Sequence, residues 1–197
     1  KIYKKIYKNL IFSIYQNKIY VADNIGFIYA ISLSSGKLIW IKNHGIPLKS
    51  NIKIFDNKIF LINQDNRLFC LNTKDGSKIW DIRSISSFIK SQQFLALAIS
   101  NKGDLVFLNS SGDLIKVKTK NGRIYWSLST SDTMSGGDSN FFRSSDIVIA
   151  DNEIIFSNSA SIFSYNLING YLNWKVNIGS KNTPIIDGNN VFLVSDN

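Results

Sequence analysis

The stretch AISLSSGKLIW (Ala30–Trp40) decides the fold of this 197-residue chain, because three further copies of its pattern follow. Aligned on their glycines, these are CLNTKDGSKIW (Cys70–Trp80), KVKTKNGRIYW (Lys116–Trp126) and SYNLINGYLNW (Ser164–Trp174). The chain has four tryptophans, and each lies four residues after a glycine: Gly36/Trp40, Gly76/Trp80, Gly122/Trp126 and Gly170/Trp174. Successive tryptophans are 40, 46 and 48 residues apart. A local marker with a period in the forties signals a repeat architecture, whose units bury their apolar surface only by stacking on neighbours.

Working outward, each copy reads as a strand, a short turn ending in Gly, and a second strand carrying the Trp. Asp75-Gly76, Asn121-Gly122 and Asn169-Gly170 are hairpin signals, since these pairs accept the positive φ of tight turns. A further β-rich run lies upstream of each copy, at Lys18–Asp23, Lys58–Asn63, Leu105–Ser110 and Glu153–Asn158. Another strand precedes each run across a turn such as Gln16-Asn17, Asp56-Asn57 or Asp151-Asn152. Each repeat is therefore a four-stranded antiparallel meander, A-B-C-D, and no segment reads as a helix. The B strands are apolar on both faces, as in Ile59-Phe60-Leu61-Ile62, so each sheet must be covered on both sides. Such sheets make an all-β propeller. We expect complete blades at about 11–43, 50–83, 93–128 and 146–177, and strands A and B of a partial fifth over 183–197. A portion of a longer propeller fits this layout; two chains closing one ring is the alternative.

Composition narrows the function classes. No apolar run approaches the ~20 residues of a membrane-spanning helix. The chain starts at Lys1 without a signal-peptide core, so a targeting segment is expected upstream if there is one. The net charge of +9 raises nucleic acid as a ligand, but the cations are dispersed apart from Lys1, Lys4, Lys5 and Lys8. The 31 isoleucines, 23 asparagines and 19 lysines instead suggest codon bias, and no nucleic-acid partner is expected. Cys70 stands alone in an apolar run, which fits a buried, inert thiol and excludes an intrachain disulfide. His44 is the single histidine. Acidic residues fall mostly in turns (Asp56, Asp75, Asp104, Asp151, Asp187), where turn chemistry accounts for them. No paired carboxylates, phosphate-binding loop or metal-ligand cluster stands out, so no catalytic, cofactor-binding or metal residue is assigned and no cofactor is expected.

The repeated pattern Ala-x-(Asp/Asn)-x-x-x-Gly-x-x-x-Trp resembles the tryptophan-docking repeat of the pyrroloquinoline-quinone-like propellers. The likeness spans nearly the whole chain; Lys116 and Lys118 depart from it in the third copy. It implies that each Trp ring packs on the Gly peptide of a neighbouring motif, so that Gly36, Trp40, Gly76, Trp80, Gly122, Trp126, Gly170 and Trp174 are structural. Quinoprotein dehydrogenases of this family carry adjacent cysteines and a bound Ca²⁺, and a chain with one cysteine lacks the former. The phrases KIYVADNIGFIYAISLSSGKLIW and KNTPIIDGNNVFLVSDN instead resemble the non-enzymatic branch that serves outer-membrane β-barrel assembly. That resemblance implies an eight-bladed ring in the periplasm, tethered to the outer membrane by a lipid anchor outside this segment. It also implies a protein partner, the periplasmic domains of the barrel-forming subunit. A dehydrogenase with its cofactor site elsewhere, or a ligand-sensing propeller, is the alternative.

Strand direction sends the A–B and C–D turns to one side of the ring, and the B–C turns and D-to-A connections to the other. Two of those connections are long: Ser84–Ser91, and Thr130–Ser145 with SDTMSGGDSNFFRSSD around it. Long loops on a rigid scaffold commonly carry function. Phe88, Ile89, Phe141 and Phe142 are apolar residues among Ser, Asn and Gly, near Lys90, Arg143, Asp138 and Asp146. An apolar centre with a charged rim suits a protein–protein contact. In the assembly branch the partner site is a hydrophobic-basic loop followed by acidic residues in the next loop. The resemblance therefore assigns partner binding to Phe88, Ile89, Lys90, Asp138 and Asp146; Phe141 and Phe142 either join them or tuck back.

Overall fold

The computed structural model describes residues 9–84, 90–130 and 142–194. They form an all-β propeller arc of four four-stranded antiparallel sheets and one two-stranded sheet, with no helix among them. The first blade comprises β1 (Leu10–Tyr15), β2 (Lys18–Asp23), β3 (Phe27–Ser32) and β4 (Leu38–Asn43). The second comprises β5 (Lys53–Phe55), β6 (Lys58–Ile62), β7 (Arg67–Asn72) and β8 (Lys78–Arg83). The third is β9 (Leu97–Ile99), β10 (Asp104–Leu108), β11 (Asp113–Lys118) and β12 (Ile124–Ser129). The fourth is β13 (Val148–Ala150), β14 (Glu153–Ser157), β15 (Ile162–Asn166) and β16 (Leu172–Val176). β17 (Ile185–Asp187) and β18 (Asn190–Phe192) pair in a hairpin beside the fourth blade. Strands β1, β5, β9, β13 and β17 neighbour one another in turn, so they line the inner side of the arc.

The turns are built from their own polar side chains. Gln16-Asn17 and Asp56-Asn57 both hold positive φ at two successive residues, as a two-residue hairpin turn matched to strand twist requires. At each Gly-marked turn the Gly N–H donates to the carbonyl four residues back, at 2.9 Å in all four blades. Only the glycines take positive φ there (66–77°), not the preceding Asp75, Asn121 or Asn169. This corrects the expectation that the whole Asx-Gly pair does so. The Asx side chains instead accept the N–H two residues on, as Asp75 Oδ1 does from Ser77 at 3.0 Å and Asn169 Oδ1 from Tyr171 at 2.9 Å. In every complete blade the C–D ladder then shifts register opposite the Trp, at Ala30/Ile31, Cys70/Leu71, Lys116/Val117 and Ser164/Tyr165. A β-bulge recurring at the same step fixes where each Trp points.

Period-two alternation divides the B strands of the second and third blades between two interfaces. On β6, Ile59 and Leu61 pack with Tyr20, Ala30 and Trp40 of the first blade. Phe60 and Ile62 pack with Leu97, Leu105 and Phe107 of the third. A third core joins Val106 and Leu108 to Ile154, Phe156 and Phe163. The continuous apolar run of β6 is thus explained by two buried faces, as the sequence requires; the outer faces of β2 and β14 join no core cluster among the described residues.

The tryptophans link consecutive blades. Trp40 Nε1 donates to Thr73 O at 3.2 Å, Trp80 Nε1 to Thr119 O at 3.1 Å and Trp126 Nε1 to Ile168 O at 3.1 Å. Each ring also covers the glycine of the next turn. A Cβ on Gly76 would lie 2.7 Å from Trp40, and one on Gly122 2.8 Å from Trp80. Gly36 has no such neighbour among the described residues, and Trp174 lines a cavity of about 310 Å³ with Glu153, Ile186 and Val191. Trp40 is buried, whereas Trp80, Trp126 and Trp174 are half-buried. Lys116, the departure noted in the third copy, is buried and bonds Leu167 O at 3.0 Å and Asp104 Oδ1 at 2.8 Å. It occupies the blade position of Ala30, while the partner turn receives its amine as Thr73 O receives the Tyr20 hydroxyl at 3.2 Å.

Candidate functional site

The B–C turns and D-to-A connections share one side of the arc, as strand direction demands. Each B strand ends in an Asx residue whose carbonyl or carboxylate oxygen caps the following turn. Asp23 Oδ1 accepts from Ile25 and Phe27, Asn63 Oδ1 from Asp65 and Arg67, Asn109 Oδ1 from Ser111 and Asp113, and Asn158 Oδ1 from Ala160 and Ser161. Neighbouring turns then interlock through buried amides. Asn66 Nδ2 donates to Ser110 Oγ at 2.9 Å, and Ser110 N–H returns a bond to Asn66 Oδ1 at 2.8 Å. Such fully paired buried polar groups rigidify a surface.

The roots of both long connections are tied into this layer. Ser84 Oγ accepts from Asn109 Nδ2 at 3.0 Å, and Ser91 N–H donates to Gln64 O at 2.8 Å. Thr130 donates twice to Gly112 O, from its N–H at 2.9 Å and its hydroxyl at 2.7 Å. The sequence reading missed this framework, although its signal was present: an Asx closing each B strand, and Gly26, Asn66 or Gly112 three residues later in positive φ.

The assigned partner residues divide as follows. Phe88, Ile89 and Asp138 lie outside the described residues, as does Phe141. Lys90 is exposed, with its Nζ 3.9 Å from Asp65 Oδ1. Asp146 is half-buried, and its Oδ2 accepts from Asn51 Nδ2 at 3.0 Å, a bond that spans the third blade from the second to the fourth. It is a tie between connections as well as an acidic group beside the arc's inner side. Phe142 tucks back: it packs against the core between blades three and four, and its ring sits where a Cβ on Gly112 would lie. Arg143 next to it is exposed.

His44 occupies the blade position that Ser84 and Thr130 fill elsewhere, and its ring lies 5.5 Å from that of Phe69. Burial, then the charges of Lys78 and Lys42, push its pKa below the ordinary value, so the imidazole is neutral at pH 7. Its Nε2 and the Nδ2 of the fully buried Asn63 have no partner, at the positions where Asn109 Nδ2 bonds Ser84 Oγ. Cys70 is fully buried, and burial raises its thiol to about 12, so it is no nucleophile at neutral pH. Among the described residues no three His, Cys, Asp or Glu side chains are grouped to hold a metal ion.

Comparison with known proteins places this architecture. Residues 10–197 match the family model described as outer membrane protein assembly factor BamB. The BamB of Escherichia coli K12 is 22% identical over 97% of this chain and 62% of its own length, and that of Shewanella oneidensis is 22% identical over 92% and 46%. The chain therefore spans about three-fifths or less of the curated relatives it matches. Among solved structures, BamB from Moraxella catarrhalis superposes with a TM-score of 0.73 at 14% identity, over 89% of this chain and 54% of the other. The quinohemoprotein alcohol dehydrogenase of Comamonas testosteroni superposes with a TM-score of 0.68 at 13% identity, over 88% and 35%. At such identities the superpositions carry the fold alone, and the match over residues 10–197 carries the family. This propeller arc belongs to the family of the outer membrane protein assembly factor BamB.

Proposed function

We propose that the chain is a non-catalytic protein-interaction scaffold in outer-membrane protein assembly, working in the periplasm with a lipid tether outside this segment. The family match along residues 10–197 carries this reading. Its partner is the periplasmic region of the barrel-forming subunit, and its contact is the face of D-to-A connections. Phe88 and Ile89 supply the apolar centre there, and Lys90 with Asp138 and Asp146 the charged surround. The interlocked turn layer supports the assignment physically, because a contact held on rigid roots loses less entropy on binding. Burial raises the Cys70 thiol to about 12, which counts against an enzymatic alternative that uses it as a nucleophile.

Pull-down of the barrel-forming subunit's periplasmic region by the intact protein tests this reading. Phe88→Ala, Ile89→Ala and Lys90→Glu together should lower the affinity about thirtyfold or more, the effect of losing one or two hot-spot side chains. Unchanged capture by the folded triple variant places the contact elsewhere. Adding pyrroloquinoline quinone and Ca²⁺ should give no alcohol- or sugar-dependent dye reduction; reduction above the rate without protein refutes the scaffold reading.

A further inference from the structure

The opposite side of the arc, formed by the A–B and C–D turns, has its own chemistry. In blades two and three it carries exposed Lys74, Lys102, Lys118, Lys120 and Arg123. Backbone pairing brings those of the third blade together: Lys118 N–H bonds Arg123 O across the turn at 2.8 Å, and Lys118 sits opposite Asp104, two residues from Lys102. In the turns of these two blades the carboxylates are engaged by other groups: Asp56 pairs with Lys58 and Asp104 with Lys116, while Asp151 and Asp187, in the A–B turns of the next two sheets, are exposed. Asp75, beside Lys74, is held by the Ser77 N–H and hydroxyl. None of the five exposed cations forms an ion pair among the described residues.

The same turn in the fourth blade is apolar where those of blades two and three carry cations. Ile168 takes the place of Lys74 and Lys120 at the tip of the fourth blade's turn and is 66% exposed. Tyr171 takes the place of Arg123 and is 74% exposed. A basic patch beside exposed Ile and Tyr is the composition of a surface that rests at a lipid–water boundary, cations on headgroups and apolar tips below them.

We propose that this rim of A–B and C–D turns docks on an anionic lipid surface, with Lys102, Lys118, Lys120 and Arg123 on the headgroups and Ile168 and Tyr171 entering the interface. A nucleic-acid ligand would use the cations and leave the flanking aliphatic side chains without a role. The rim lies opposite the connections assigned to the protein partner, so both contacts are possible at once.

Sedimentation of the intact protein, expressed without lipid modification, with vesicles of phosphatidylethanolamine and phosphatidylglycerol tests the proposal. Phosphatidylcholine vesicles are the uncharged comparison. Binding should require the anionic lipid and weaken as salt rises. Lys118→Gln, Lys120→Gln and Arg123→Gln together should lower partitioning roughly a hundredfold, at about fivefold per cation. Ile168→Ser with Tyr171→Ser should weaken it at constant charge, whereas Arg83→Gln with Lys181→Gln, on the other side, should not. Tryptophan fluorescence verifies folding; if the triple variant unfolds, Lys74→Gln, Lys102→Gln and Lys120→Gln replace it with the same expectation. The proposal is overturned by no preference for anionic vesicles or by equal loss in the Arg83/Lys181 variant. It is equally overturned by a duplex oligonucleotide binding more tightly than vesicles with no effect of the Ile168/Tyr171 change.

Discussion

At the scale of single residues, the blade contacts turn on shared acceptors. The Thr73 carbonyl accepts both Trp40 Nε1 and the Tyr20 hydroxyl, each at 3.2 Å. Tyr20→Phe or Trp40→Phe alone leaves one donor in place, so each bond lost should cost about 1 kcal/mol. The double replacement leaves a buried carbonyl without either donor and should cost more than the sum in urea denaturation. Strict additivity contradicts the shared-acceptor geometry. His44 makes a second test possible because it is the chain's only histidine. Its folded pKa lies below the unfolded value, so its stabilising share is complete above pH ~6.5 and is lost as pH falls below that toward the folded pKa. The thermal midpoint should therefore fall between pH ~7.5 and ~5.5, and His44→Gln should flatten that slope. An equal slope in the variant removes His44 from the account.

At the scale of elements, the Gly-marked turn does two separable jobs. All four glycines hold positive φ, and among the described residues Gly76, Gly122 and Gly170 lie under a tryptophan of the preceding blade. In the 197-residue chain by itself, Gly36→Ala should cost roughly 1 kcal/mol for the left-handed backbone alone. Gly76→Ala should cost a further ~1–3 kcal/mol because its methyl would meet the Trp40 ring. Equal losses on chemical denaturation mean that the docking contact contributes nothing. The meander, its B-strand burial and its Gly/Trp marker were legible in the sequence because each is a local pattern: hydrophobic period, turn residue, fixed spacing. The division of roles between Asp75 and Gly76 was not, since either residue tolerates positive φ and only the hydrogen bond to Ser77 decides between them. Lys116 read as a departure for a similar reason; its compensation comes from Leu167, 51 residues along the chain.

At the scale of the whole molecule, topology assigns each turn to one of two sides, and those sides differ in chemistry. That division was readable once the strand order was known. The interlock of Asn66 with Ser110, and the tie from Asn51 to Asp146 across the third blade, were not, because pairing over 44 and 95 residues leaves no local trace. The retreat of Phe142 onto Gly112 likewise depends on a neighbour 30 residues away. We propose that the protein partner sits on the face of D-to-A connections. Hydrogen exchange on the intact protein, with and without the barrel-forming subunit's periplasmic region, tests it most directly. The account predicts slowed exchange in 84–91 and 130–146 and in the neighbouring turns at 63–66 and 109–112, with 33–36, 73–76 and 119–122 unchanged. Protection confined to those last three turns, or none on either side, contradicts it.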